Sequence, residues 1–135
     1  MITDAGGIPL AATVTGANRH DVTQLIPLVE AIPPIRGRRG RPRRRPRYLL
    51  ADRAYDHRAY RRQLADRGIT PIIARRGKLH GSGLGRQRWP VERTIGWLHQ
   101  FRRLRTRYER RADLHHAFLS LTSSIICLRR LTSAL

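Results

Sequence analysis

Two carboxylates stand out because each lies beside an element that could hold it rigidly. Asp52 directly follows Tyr48–Ala51, an apolar run that predicts a short buried strand. Glu92 lies two residues after Pro90, which suits the first turn of a helix. Carboxylate oxygens are the ligands that Mg²⁺ prefers, and a bound Mg²⁺ can activate the attacking oxygen and stabilise the leaving oxygen in phosphoryl transfer. The residue types therefore permit metal-assisted chemistry on phosphodiesters.

Each carboxylate also has a purely structural interpretation, and the spacing leaves both open. Asp52 could be a turn or cap residue beside the following helix. Glu92 could be a first-turn acid that the helix dipole favours and that pairs with nearby arginines. The remaining acids offer no obvious third metal ligand, because they are expected at a hairpin turn, at helix caps or ends, or in surface ion pairs: Asp4, Asp21, Glu30, Asp56, Asp66, Glu109 and Asp113.

The elements around Asp52 predict an α/β chain. A hairpin turning at the glycine pair Gly6-Gly7 is expected over residues 1–16, followed by a helix from Asp21, as N-cap, to about Ala31. Strand 48–51, a helix over about 56–67 and strand 69–74 form a crossover unit, whose strand ends commonly carry functional groups.

Two further helices are expected towards the C-terminus. In the basic segment 86–108, Val91, Ile95, Leu98 and Leu104 recur at helical spacing and are predicted to face a core, whereas Glu92, Gly96, His99 and Arg103 share a neighbouring face. A last helix over about 112–131 carries an apolar stripe that we also expect in the core: Leu114, Phe118, Leu121, Ile125 and Leu128.

The charge balance indicates a polyanionic partner. The 135 residues contain 28 Lys+Arg against 9 Asp+Glu, a net charge of +19, and nucleic acid is the default candidate. The Arg/Pro-rich segment 35–47, which includes Arg43, Arg44 and Arg45, is predicted to be a loop that contacts phosphates, with a solvated charge run as the alternative. Arg88, Arg93, His99 and Arg103 lie around Glu92 in the sequence and could contact nucleic acid there.

Several functional classes lose support. The single cysteine, Cys127, excludes an intramolecular disulfide and a cysteine-cluster zinc site, and no H-E-x-x-H, G-x-S-x-G or phosphate-loop pattern occurs. No apolar run is long enough to span a bilayer, and no signal peptide is apparent. We therefore expect a soluble intracellular protein without a membrane partner.

With these residues in view, the sequence resembles a bacterial insertion-sequence transposase of the DDE type, closest to the insertion sequence 5 family. The matching segments are ITDAGGIPLAATVTGANRHD, YLLADRAYD around Asp52, ARRGKLHGSGLGRQRW, and PVERTIGWLHQFRRLRTRYERR around Glu92. The combination of ADRAYD with VERTIGWLHQFRRL is specific, and the segments cover nearly the whole chain in the expected order.

The resemblance implies a ribonuclease-H-like mixed sheet with flanking helices, in which two aspartates and a glutamate bind Mg²⁺ or Mn²⁺ and cut and join DNA. Asp52 matches the second aspartate and Glu92 the glutamate. Of the Tyr-Arg-Glu-Lys signature around that glutamate, Arg88 matches the arginine, while Gly85 and His99 stand at the tyrosine and lysine positions. The implied partners are insertion-sequence ends and target DNA, and the implied location is the bacterial cytoplasm, at the nucleoid.

The first catalytic aspartate has no match, because in the family it precedes the hairpin that opens this sequence. Asp4, in the hairpin turn, does not take that role. We therefore expect residues 1–135 to be a single catalytic-domain fragment, incomplete at its N-terminus and inactive alone. It would act with an N-terminal transposase fragment or by self-association. The alternatives are a non-catalytic DNA-binding remnant that interferes with a full-length transposase, or an RNA-binding protein of ribosomal type.

Overall fold

The computed structural model describes residues 1–16, 18–37, 39–77 and 89–133, and it confirms the α/β class. The elements, in chain order, are β1 (Ile2–Thr3), β2 (Pro9–Ala11), a 3₁₀ helix (Asp21–Gln24) leading into α1 (Leu25–Glu30), β3 (Tyr48–Ala51), a 3₁₀ helix (Arg53–Tyr55), α2 (Arg58–Asp66), β4 (Thr70–Ile73), α3 (Trp89–His99), α4 (Arg102–Arg105) and α5 (Ala112–Thr132). They form two compact units: the crossover unit (Asn18–Arg88) and the hairpin–helix unit (Met1–Ala17 with Trp89–Leu135).

The crossover unit has the predicted strand–helix–strand order. β3 and β4 pair in parallel, with Ala51 opposite Ile73 at their carboxyl ends. Helix α2 connects them and stops before Gly68, whose φ of 72° is a conformation that L side chains rarely adopt. Leu64 and Ile69 are 0% and 1% exposed, so the connection packs tightly on the strands. The parallel pair thus holds the end of β3, and with it Asp52, on a rigid base.

The hairpin–helix unit begins with the predicted hairpin, although its strands are shorter than expected. β1 and β2 are antiparallel, and the Asp4 carboxylate accepts hydrogen bonds from the backbone N–H groups of Gly6 and Ile8, both at 2.8 Å. Gly7 has a φ of 80°, which agrees with the turn predicted from the glycine pair. Asp4 is therefore a turn-stabilising residue.

Helix α3 buries only part of the face predicted for it. Leu98 is 5% exposed, as predicted, but Val91 and Ile95 are 39% and 41% exposed, and Thr94, which was not predicted in the core, is 0% exposed. The reason is a contact that apolar spacing does not encode: the Thr94 hydroxyl donates a hydrogen bond to the Gly7 carbonyl oxygen. A satisfied hydroxyl can be buried at little cost, and it sets the rotation of the helix against the hairpin.

The prediction for the last helix was right about its span and wrong about its stripe. Helix α5 runs over Ala112–Thr132, but Leu114, Leu121 and Leu128 are 46%, 59% and 60% exposed. The buried positions are Thr122 and Ile126. The hairpin segment contacts α5 at His116 and Cys127. Nε2 of His116 lies 3.2 Å from one backbone carbonyl oxygen of that segment, and Sγ of Cys127 lies 3.7 Å from another.

Within the described ranges, no helix combines the length and apolar character that a membrane crossing requires.

The Arg/Pro-rich segment, predicted to be irregular, contains one regular feature: Ile35 and Arg43 form an antiparallel bridge through two backbone hydrogen bonds of 2.9 Å and 2.8 Å. The described side chains of this segment are nevertheless largely exposed, so the arginines among them remain available to an external anion.

Candidate functional site

Asp52 lies at the carboxyl end of β3, where the crossover pattern predicted it. Its backbone is extended, with a φ of −66° and ψ of 160°, and its carboxylate oxygen Oδ1 accepts a hydrogen bond from the Arg53 N–H. The residue therefore caps the following 3₁₀ helix, as its structural interpretation expected, while its side chain stays exposed. The cap orients the carboxylate at the strand end without burying it.

Tyr55 is affected by both Asp52 and Asp21, a relation that was not recognised from the sequence. Burial, followed by the negative charges of Asp21 and Asp52, raises the pKa of the Tyr55 hydroxyl. Both carboxylates thus act on the same tyrosine, and the 3₁₀ helices that contain Asp21 and Tyr55 contact one another. Asp21 was predicted as an N-cap, but the cap position belongs to His20 and Asp21 is the first residue of the 3₁₀ helix.

Asp56 also has a different role from the helix cap predicted for it. Its carboxylate accepts hydrogen bonds from the Arg76 backbone N–H and the Arg61 guanidinium, both at 2.7 Å. These two donors, the Arg76 N–H first, hold the pKa of Asp56 below its usual range. Because Arg61 also donates to the Ile73 carbonyl oxygen at 2.7 Å, this network fixes the end of β4 to α2.

Glu92 lies in the first turn of α3 with an exposed side chain, and it forms no hydrogen bond or ion pair with another described residue. The arginine pairing expected from its structural interpretation is thus absent from the described part of the chain. Arg93 instead stacks on Trp89, with its Cζ atom 3.7 Å from the ring centroid. Glu92 belongs to the hairpin–helix unit, whereas Asp52 belongs to the crossover unit.

The other predicted DNA contacts around Glu92 differ in their exposure and in their partners within the chain. His99 is the last residue of α3 and is exposed, and Arg88 lies outside the described residues. Arg103 already has a partner, because its Nη1 donates to the Glu109 carboxylate at 2.7 Å and its guanidinium lies 5.1 Å from the Phe118 ring centroid. Burial tends to raise the pKa of Glu109, but hydrogen bonds from Arg103 and the backbone outweigh it and the pKa is lowered.

The arginines of segment 35–47 are the more accessible set. Arg43, Arg44 and Arg45 are all exposed. Arg45 makes one long hydrogen bond, 3.5 Å from its Nη1 to the Arg67 carbonyl oxygen, which leaves most of its guanidinium donors for another acceptor. Each such arginine can bind a phosphate bidentately.

Comparison with known proteins decides the family. The sequence model described as "Transposase DDE domain" matches residues 1–127. The chain belongs to the DDE transposase family. It is also 62% identical over 134 residues to a Burkholderia cepacia protein named "Putative transposase for insertion sequence element IS402", and the match covers 99% of this chain and 64% of that protein. No solved structure matches the chain significantly.

The family assignment confirms the predicted insertion-sequence DDE transposase and does not favour a non-catalytic remnant. The insertion sequence 5 grouping stays a prediction. A DDE domain implies DNA as a partner and use of a divalent metal ion.

The candidate metal ligands of the chain can be compared with the ligands that a divalent metal ion prefers. Oxygen donors of the Asp52 and Glu92 type suit a hard cation. Nevertheless, among the described residues, which include all nine acids, no group of three or more His, Cys, Asp or Glu side chains could hold a metal ion. The chain therefore contains carboxylates of the type that binds such an ion, but its described residues do not form a group of three ligands.

Proposed function

We propose that this chain is the catalytic part of an insertion-sequence transposase, with phosphodiester cleavage and strand transfer at insertion-sequence ends as its reaction. The proposal includes a ribonuclease-H-like core, the insertion sequence 5 grouping and a place at the bacterial nucleoid. The observation that carries it is the position of Asp52 at the carboxyl end of β3, in a parallel strand pair of a chain that matches the DDE domain. Strand ends of this kind are where α/β proteins commonly bind ligands.

Asp52 and Glu92 are the proposed catalytic metal ligands, for Mg²⁺ or Mn²⁺. When bound, the metal would make the attacking oxygen more nucleophilic and stabilise the leaving oxygen. The exposure of both side chains supports this role, because each carboxylate is accessible to an ion and to substrate. The hydrogen bond from the Arg53 N–H would orient Asp52, and the helical backbone of the first turn of α3 would orient Glu92.

The proposed DNA contacts are Arg43, Arg44, Arg45, Arg88, Arg93, His99 and Arg103. The exposed arginines of segment 35–47 would neutralise phosphates without reading sequence. Arg103 is held by Glu109, so any phosphate contact would use its remaining N–H groups. Binding of this kind weakens steeply as salt rises, since each phosphate contact releases counterions.

We further propose that a third carboxylate comes from outside this sequence, either from an N-terminal transposase segment or through association of chains. The first aspartate of the family pattern has no match in this sequence, and the chain spans 64% of the length of the B. cepacia relative; both observations support this. On this proposal the chain alone binds DNA and does not cleave it.

The test is a chimera in which this sequence replaces the matching 134 residues of the relative. We expect the chimera to cut DNA carrying the insertion-sequence ends when Mg²⁺ is present, and the isolated chain to bind that DNA without cutting it. Asp52→Asn and Glu92→Gln should each lower cleavage by the chimera at least about a hundredfold, a size typical for loss of a group that stabilises the transition state.

Asp66→Asn is the matched control, because Asp66 is an exposed acid at the end of α2 and its substitution makes the same charge change. This variant should keep full cleavage. Equal loss in Asp66→Asn would assign the effect to net charge, and unimpaired cleavage in Asp52→Asn or Glu92→Gln would remove that residue from the catalytic set.

A further inference from the structure

The hairpin–helix unit contains a cleft that lies close in sequence to the predicted DNA contacts of α3 and α4 but is not lined by them. It has a volume of about 300 Å³ and lies where the C-terminal turns of α3 and α5 meet. That volume is at the lower end of the roughly 300–1,000 Å³ range of small-molecule sites. The lining combines two aromatic rings, two arginines and polar groups: Trp97, Gln100, Phe101, Ile126, Arg129, Arg130 and Ser133.

The cations and rings of the cleft are already arranged beside one another. The Cζ atom of Arg130 lies 4.6 Å from the Trp97 ring centroid, and that of Arg129 lies 6.0 Å from the Phe101 ring centroid. Contacts of this length are cation–π interactions, which restrict the guanidinium without consuming its hydrogen-bond donors. Ile126, which is 5% exposed, provides an apolar floor.

This arrangement matches the chemistry of an unpaired nucleotide. A nucleobase presents a flat π-face to aromatic rings, its phosphate accepts two parallel N–H bonds from an arginine, and an amide such as that of Gln100 can bond a base edge. A fully paired duplex shields its base faces by stacking and cannot present them to a cleft. The net charge of +19 favours a polyanion over a neutral aromatic ligand.

We propose that the Trp97–Arg130 cleft binds an unpaired nucleotide of DNA, with the base against Trp97 and Phe101 and the phosphate at Arg129 and Arg130. The proposal rests on the proposed function only for the choice of DNA as partner. It adds a site that holds a base outside the double helix, separate from the carboxylates that would act on the phosphodiester. Trp97 and Arg130 are binding residues here and take no part in bond cleavage.

Tryptophan fluorescence tests the proposal without any cleavage assay. The chain contains two tryptophans, so Trp89→Phe leaves Trp97 as the reporter. In EDTA and at fixed salt, this variant is titrated with single-stranded oligothymidine, with an abasic strand of the same length and charge, and with a matched duplex. We expect quenching of Trp97 emission by oligothymidine, and binding about tenfold tighter than that of the abasic strand, the size of one base–aromatic stack.

Three substitutions in the cleft distinguish base stacking, phosphate binding and loss of folding. Trp97→Leu, followed by the anisotropy of labelled DNA, should lose the preference for base-bearing DNA, whereas Trp97→Phe should keep it because an aromatic face remains. Arg130→Gln should weaken binding of both strands and lower the salt slope by about one. Circular dichroism identifies any variant that does not fold, and the Trp97→Phe comparison then decides.

Equal affinity for the abasic strand, equal quenching by the duplex, or an unchanged base preference in Trp97→Leu would overturn the proposal. Because no metal and no element ends are used, a failed cleavage assay in the chimera leaves this test unaffected. Conversely, loss of base preference here leaves the proposed transposase chemistry standing.

Discussion

The two units of this protein are stabilised in different ways. The crossover unit contains most of the buried apolar side chains of the described residues: Leu25, Ile26, Leu28, Val29, Ile32, Leu49, Leu64, Ile69 and Ile73. In the hairpin–helix unit the corresponding set is Leu98 and Ile126, together with buried Thr94 and Thr122. That unit also leaves large apolar side chains exposed, including Trp89, Val91, Ile95, Leu114, Leu121 and Leu128.

The difference shows that helix periodicity alone does not create a core. A strand–helix–strand unit encloses its apolar residues because the helix must pack on the strands that it connects. The helices of the other unit instead meet the hairpin through a backbone approach at Gly7 and a buried hydroxyl at Thr94. Its stability therefore depends more on specific contacts and less on apolar area.

The largest loss of stability is expected from a substitution in the core of the crossover unit. Leu64→Ala removes a side chain that is 0% exposed, and we expect a loss of about 2–5 kcal/mol in the free energy of unfolding, from lost burial and the cavity left behind. Leu121→Ala, the matched substitution at a position 59% exposed, should change it by less than about 0.5 kcal/mol. Urea unfolding measures both.

Similar losses in the two leucine variants would mean that α5 is covered in solution, and the contrast between the units would fail.

A smaller loss of stability is expected from a substitution at Gly7, where the hairpin approaches α3. A Cβ atom on Gly7 would lie 2.9 Å from the Pro90 carbonyl oxygen, and Gly7 also has a positive φ. Gly68 has a similar φ, 72°, but nothing within 4 Å of its Cβ position. Gly68→Ala should therefore cost only the conformational penalty of about 1–2 kcal/mol, and Gly7→Ala should cost measurably more in the same unfolding assay.

Equal destabilisation by the two glycine substitutions would show that conformation alone matters at Gly7, and that its backbone approach to α3 adds nothing.

The smallest expected effect is on the pH dependence of stability. The pKa of Asp56 is lowered by the Arg76 N–H and the Arg61 guanidinium, and that of Asp113 by the Arg111 guanidinium. A carboxylate with a lowered folded-state pKa stabilises the fold above its ordinary pKa of about 4, and this contribution disappears as pH falls through the folded value. Asp56→Asn should lower Tm at pH 7, and its difference from the parent should shrink below about pH 4.

Asp113→Asn serves as the control from the other unit. Its ion pair with Arg111 joins neighbours on the surface, with side chains 61% and 72% exposed, and should contribute little to stability. A Tm loss at pH 7 as large as that of Asp56→Asn would contradict the view that the Asp56 network is the one that ties elements together.

The local elements and the position of Asp52 at a strand end could be predicted from the sequence. The glycine pair predicted the hairpin and the apolar runs predicted β3 and β4, because turn geometry and strand composition act over a few residues. Asp52 was found at the end of β3 for the same reason. The family could be inferred because its segments occur in order along the chain.

The buried helix faces and the contacts between distant side chains could not be predicted in this way, because they depend on how the helices pack. The Thr94 bond to Gly7 joins residues 87 positions apart, and it turned α3 so that Val91 and Ile95 stay exposed. The contact of Arg130 with Trp97, which frames the cleft, likewise joins two separate helices. Periodicity specifies that a helix has an apolar face, but the rotation of that helix depends on partners that only folding brings into contact.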